Sequence, residues 1–98
     1  MGPKQQEIAE NYLREKRRLN AQRIELFDQL ADFRRKTEQL VAQVMYLTQD
    51  DIWDRQQIYR SVELNVAKVE RAATHYARYL ADSEHEAIVR YKQALDET

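Results

Sequence analysis

The chain has 98 residues, of which 34% are charged, with 16 Lys and Arg against 17 Asp and Glu and no cysteine. This length fits one small domain, and the absence of cysteine excludes a disulfide scaffold and thiolate metal sites. No apolar run approaches the roughly 18 residues of a membrane span, and the N-terminus lacks the apolar core of a secretory signal. We therefore expect neither a membrane span nor a cleaved leader.

The strongest helix breakers are missing from almost the whole chain. No glycine or proline occurs after Pro3, and these two residue types are the least favourable in helix interiors. Together with apolar residues at helical spacing, their absence predicts an all-α fold made of very long helices.

The first half of the chain has a heptad column of apolar residues, which predicts a helix over about residues 4–47. The members of this column are Tyr12, Leu19, Leu26, Phe33, Leu40 and Leu47. We expect the column to form the seam against a second helix.

The second half repeats the pattern and predicts a helix over about residues 52–96. Its column consists of Ile52, Tyr59, Val66, Ala73, Leu80, Ala87 and Ala94. Near the C-terminus the large apolar side chains move one strip around the helix, to Ile88, Tyr91 and Leu95.

A turn is predicted at about residues 48–51, because the heptad phase breaks there and helix-capping residues gather. Asp51 is the expected N-cap of the second helix. The predicted fold is thus all-α, with two long antiparallel helices forming a helical hairpin in a single domain of residues 1–98. The alternative is one continuous helix of about 90 residues in a long coiled coil, which needs no turn.

The apolar surface of this hairpin exceeds what one partner helix can cover, because apolar residues flank the seam on both helices. We therefore predict that the hairpin completes a four-helix bundle with a partner, either a second copy or another helical protein. In a second alternative, the hairpin bends or adds a third helical segment that covers its own excess. The predicted partner-binding residues are Ile24, Phe27, Val41, Met45, Trp53, Tyr79, Ile88, Tyr91 and Leu95.

Trp53 is the single tryptophan and lies at the predicted turn. One interpretation is a hydrophobic plug that closes the open end of the hairpin. The other is a recognition anchor, because exposed aromatic side chains often dominate binding.

Catalytic and metal-binding patterns are missing from the sequence. His75 and His85 are ten residues apart on one predicted helix, about 15 Å along its axis, so they cannot share a metal ion. There is no glycine-rich phosphate loop and no cysteine nucleophile. We predict a non-enzymatic protein without cofactor, metal or small-molecule substrate.

The basic residues of the first helix offer a weaker alternative, namely an adaptor for nucleic acid or an anionic membrane surface. They form a cluster at residues 14–18 and the triplet Arg34-Arg35-Lys36. Acidic residues are interleaved with both groups at the spacing of helical ion pairs. A solvated, ion-paired helix face is therefore the favoured interpretation.

The size of the chain, its two long helices and a tryptophan at the turn resemble the WXG family of helical hairpins exported by bacterial type VII secretion. The residues Trp53-Asp54-Arg55 depart from the family motif, which has glycine at the third position. The chain is more similar to the small helical proteins that accompany LXG-domain toxins.

This resemblance implies a chaperone or targeting factor that binds the helical N-terminal domain of a toxin. The group carries an export element, Tyr-x-x-x-Asp/Glu, usually beyond the second helix. Here the pattern occurs at Tyr46 and Tyr59, whereas Tyr91 is followed by Leu95 at the acidic position. We therefore expect a cytoplasmic protein, or one exported together with its partner, rather than one exported alone. The alternative function is a self-associating structural coiled-coil protein.

Overall fold

A computed structural model describes residues 2–98 and contains two long α-helices without strands in that range. Helix α1 is Pro3–Leu47 and helix α2 is Ile52–Asp96. The predicted all-α helical hairpin is confirmed, and the alternative of one continuous helix is wrong. Residues 2–98 also contain no third helix.

Local hydrogen bonds explain the start of α1. Pro3 occupies the first helical position, where its missing N–H costs nothing and its fixed φ suits a helix. The backbone N–H of Gly2 donates to Oε1 of Gln5 over 3.2 Å, and the carbonyl of Gly2 accepts from the N–H of Gln6. The side chain of Gln5 thus satisfies a donor at the helix end.

The chain reverses between the helices without a glycine. No described residue has a positive φ, and the turn is closed by a hydrogen bond from the N–H of Asp51 to the carbonyl of Thr48, 3.0 Å long. Oδ1 of Asp51 accepts from the N–H of Asp54 over 3.1 Å, which confirms Asp51 as the N-cap of α2. The guanidinium of Arg55 donates to the carbonyls of Thr48 (3.2 Å) and Met45 (3.5 Å), at the negative end of the α1 dipole.

The residues group into two compact units. The termini unit joins the chain up to Leu26 with Tyr76–Thr98, and the turn unit is Phe27–His75. Each unit therefore contains one stretch of α1 and one stretch of α2. The single-domain organisation of residues 1–98 stays a prediction.

Contacts between the helices show that they run antiparallel within each unit. In the termini unit, Glu15 pairs with Arg90 and Arg23 pairs with Glu84. In the turn unit, Arg34 pairs with Glu70, and Oη of Tyr59 donates to Sδ of Met45. In both units the residue number on α2 falls as the number on α1 rises.

The buried core is small and lies in the termini unit. Only Leu19, Leu80 and Ala87 are buried among the described residues, and Leu80 is fully enclosed. Within the turn unit no described side chain is buried. Its seam consists of half-buried residues such as Leu30, Phe33, Val44, Val62 and Val69, as expected when each side-chain layer is covered on one side only.

The two heptad columns differ in how well they follow the seam. On α2, every member from Tyr59 to Ala94 is buried or half-buried, which confirms that part of the column. Ile52 is 69% exposed, so its predicted seam position is wrong. On α1, Leu40 is 49% exposed and Leu47 is 78% exposed, so their predicted seam position is wrong. A straight helix turns about 20° away from a strict seven-residue repeat with each heptad. Val41 and Val44 are half-buried in this stretch instead.

Candidate interaction surface

The turn unit carries most of the exposed apolar surface of the described residues. Its eight exposed large hydrophobic residues are Phe27, Leu40, Met45, Tyr46, Leu47, Ile52, Trp53 and Leu64. The termini unit has five, namely Leu13, Ile24, Tyr76, Tyr79 and Val89. The unit without a buried core is therefore also the more apolar one at its surface.

The nine predicted partner-binding residues fall into two exposure classes. The exposed class consists of Ile24, Phe27, Met45, Trp53 and Tyr79. The half-buried class consists of Val41, Ile88, Tyr91 and Leu95. Phe27, Val41, Met45 and Trp53 belong to the turn unit, and the other five belong to the termini unit. Their contact with a partner stays a prediction.

Two of the predicted residues already contact the opposite helix. The ring of Tyr91 stacks on that of Tyr12, with centroids 4.6 Å apart and an interplanar angle of 21°. The sulfur of Met45 accepts a hydrogen bond from the hydroxyl of Tyr59 over 2.8 Å, although Met45 is still 38% exposed. These two residues contribute to the hairpin itself, whereas Phe27 is 66% exposed.

Trp53 does not pack over the end of the hairpin. Its side chain is 68% exposed, whereas a plug would bury most of the indole. The plug interpretation is therefore wrong, and the recognition interpretation stays a prediction.

Several exposed apolar residues were not predicted as partner contacts. Tyr46, Leu47 and Ile52 adjoin the turn, and Leu64 lies further along α2. The first three could have been found from the sequence, because the seam cannot cover every residue where both helices end. Leu64 lies outside the apolar columns of α2, so periodicity gives no signal for it.

The basic triplet of α1 is ion-paired. Asp32 binds Arg35 at 2.5 Å and Lys36 at 2.9 Å, and Arg34 reaches Glu70 on α2 at 3.4 Å. Hydrogen bonds from Lys36 and Arg35 hold the pKa of Asp32 below its usual value. Each cation of the triplet thus has an acidic partner, which weakens the case for a free basic patch there.

The termini unit also has a groove of about 400 Å³ between its helices. Tyr76 and Tyr79 line it with their rings 6.2 Å apart and nearly parallel. Arg18, Gln22 and Glu86 are among its polar residues. Its mixed charge and open form give no indication of a particular ligand.

Neither described helix has a stretch long and apolar enough to cross a membrane. Within residues 2–98, no group of three acidic or imidazole side chains is arranged to hold a metal ion. No protein-family model, curated protein or solved structure matches this chain.

Proposed function

We propose that this chain is a non-enzymatic binding partner of another helical protein, which packs against the apolar surface of the turn unit. The observation that carries the proposal is the composition of that unit, which exposes eight large hydrophobic residues and buries none of its described side chains. Apolar surface of this extent in one small unit is typical of a protein interaction site.

The energetic argument concerns the side chains left in water. Burying a large apolar side chain contributes about 1.5–3 kcal/mol. Packing a few of these residues against a partner is therefore worth as much as the roughly 5–15 kcal/mol that stabilises a typical domain. This supports the proposal that the chain reaches its full stability only in a complex.

The specific partner we propose is the helical N-terminal domain of an LXG-type toxin of type VII secretion. The support is the resemblance described above: the size of the chain, the two long helices and Trp53 at the turn. In this proposal the chain acts as a chaperone or targeting factor, completes a helical bundle with the toxin domain, and is cytoplasmic or exported together with it.

The experiment is a binding titration between the purified chain and the helical N-terminal domain of an LXG-type toxin. Phe27→Glu places a charge on the exposed surface of the turn unit, so we expect the dissociation constant to rise at least tenfold. Gln43→Glu is the matched control, because it adds the same charge at an exposed polar position of α1. Retained affinity in the Phe27 variant would rule out this surface. A stable homodimer that does not bind the toxin domain would favour the self-associating alternative.

A further inference from the structure

The four most exposed large hydrophobic residues among those described surround the turn. We call them the turn collar: Tyr46 (73% exposed), Leu47 (78%), Ile52 (69%) and Trp53 (68%). All four lie within the eight residues 46–53 of the turn unit. Such a concentration is unusual, because isolated exposed hydrophobic residues are normally scattered over a surface.

Helix geometry places these side chains in different directions around the turn. Tyr46 follows the half-buried Val44 by two residues, which is about 200° around α1, so it points away from α2. Trp53 precedes Arg55 by two residues, and Arg55 reaches back to the end of α1, so Trp53 points away from α1.

The other two members of the turn collar lie on the two flanks of the hairpin end. Leu47 and Ile52 lie three residues from Val44 and Arg55, respectively, which turns each side chain about 60° from the seam. Because the helices are antiparallel, these rotations place Leu47 and Ile52 on opposite flanks. A flat surface of a partner could bury only part of the turn collar, whereas a concave site could bury all four side chains.

The turn is also acidic. The exposed residues Asp50, Asp51 and Asp54 form no ion pair within the described part of the chain. Arg55 is the cation nearest to them in sequence, and its guanidinium donates hydrogen bonds to the backbone carbonyls of Met45 and Thr48. A hydrogen bond with Asp51 and the negative charge of Asp51 raise the pKa of Asp54, as expected for two neighbouring carboxyl groups.

We propose that the turn collar inserts end-on into a concave apolar socket of a different protein, with Lys or Arg at the rim of the socket facing the three aspartates. Charge complementarity selects this occupant over a second copy, because two copies joined at their turns would bring like-charged carboxylates together. The inference rests on the proposed function, since it specifies how the turn end of the same binding protein meets a partner.

The test is site-specific photocrosslinking in the cells that produce the protein. Benzoylphenylalanine at position 46 reports on the collar, and the same probe at position 64 reports on another exposed site of the turn unit, outside the collar. We expect an adduct with a different protein at position 46 and at least fivefold less of it at position 64. Replacing all three aspartates, as Asp50→Asn, Asp51→Asn and Asp54→Asn, should reduce the adduct at least fivefold, while Asp96→Asn with Glu97→Gln should not.

A second readout uses the single tryptophan. The captured protein, once purified, should shift the emission of Trp53 to shorter wavelength, and added salt should weaken its binding. We expect the triple variant to keep its helices, because asparagine retains an N-cap acceptor at position 51. Circular dichroism of the variant verifies this.

Four results would overturn the end-on inference: no adduct at position 46, an adduct only with a second copy, equal adducts at positions 46 and 64, or an adduct unaffected by the aspartate substitutions. The Phe27→Glu titration separates this failure from that of the proposed function. If Phe27→Glu weakens binding of the toxin domain and the collar forms no adduct, only the end-on inference fails. If Phe27→Glu has no effect, the proposed function fails, whatever the collar binds.

Discussion

At the residue scale, the turn shows how a chain without a local glycine reverses direction. Helices commonly end in a left-handed residue, usually glycine, but no described residue here has a positive φ. Thr48 closes the turn through its carbonyl, Asp51 caps α2, and Arg55 binds carbonyls where α1 ends. One backbone hydrogen bond and the side-chain hydrogen bonds of Asp51 and Arg55 therefore take the place of a glycine at this site.

The cap of α2 gives the residue-scale prediction. Asp51→Ala removes the acceptor for the N–H of Asp54, and loss of an N-cap costs about 0.5–2 kcal/mol. For a chain of this size, we expect a melting temperature lower by about 4–8 °C for each kcal/mol lost. Thermal unfolding followed by circular dichroism measures the change.

Asp51→Ser is the control for this prediction, because serine keeps a capping oxygen and removes the charge that acts on Asp54. Equal melting temperatures for the alanine and serine variants would mean that the cap contributes nothing. In that case the turn would depend on Arg55 and the bond between Asp51 and Thr48.

At the element scale, the pairing of α1 with α2 depends on a thin seam. Leu80 is the one side chain that is fully enclosed within the described residues. In the termini unit, ion pairs accompany this seam, with Glu15 to Arg90 at 2.6 Å and Arg23 to Glu84 at 2.5 Å. These groups are all partly exposed, so each pair contributes only a fraction of a kcal/mol, about 0.2–1. Apolar packing therefore dominates the stability of the helix pair.

The element-scale prediction compares two leucines of α2. Leu80→Ala opens a cavity in the core and should lower the free energy of unfolding by about 2–5 kcal/mol. Leu64→Ala makes the same chemical change at a side chain that is 60% exposed, so it should cost well under about 1 kcal/mol. Urea denaturation of both variants measures the difference. Equal losses would contradict the placement of the core at Leu80.

At the scale of the whole molecule, the balance of buried and exposed surface determines whether the chain is stable alone. Three buried residues form its core, whereas thirteen large hydrophobic residues of the described chain are exposed. A second copy or a different protein could cover part of that surface. In the first case the purified protein has the mass of a dimer in solution, and in the second case it has the mass of one chain.

The corresponding prediction concerns mass and stability in solution. By light scattering over at least a tenfold range of concentration, we expect the mass of one chain, 11.8 kDa, with low stability or a tendency to aggregate. Addition of the toxin domain should produce a complex that unfolds at a higher temperature, because binding stabilises the folded state. A stable dimer at every concentration would favour self-association as the function.

The candidate surface was predictable in part from the sequence. Apolar residues beside the heptad columns, such as Phe27 and Ile24, are exposed in the structure. Tyr91 could not be assigned in this way, because its stacking on Tyr12 depends on how the two helices align. The seam positions predicted for Leu40, Leu47 and Ile52 are wrong, because a heptad column assumes supercoiled helices and a seven-residue repeat drifts out of the seam of straight helices.

By itself, the sequence determined the all-α fold, the two long helices and the cap at Asp51. These features depend on local properties: the absence of breakers, apolar periodicity and the hydrogen-bonding capacity of a single side chain. Only the tertiary structure decided which residues the seam covers. It confines the core of the described residues to Leu19, Leu80 and Ala87, and it leaves the turn collar exposed. Burial depends on contacts between residues far apart in sequence, and no local pattern specifies how two helices rotate against each other.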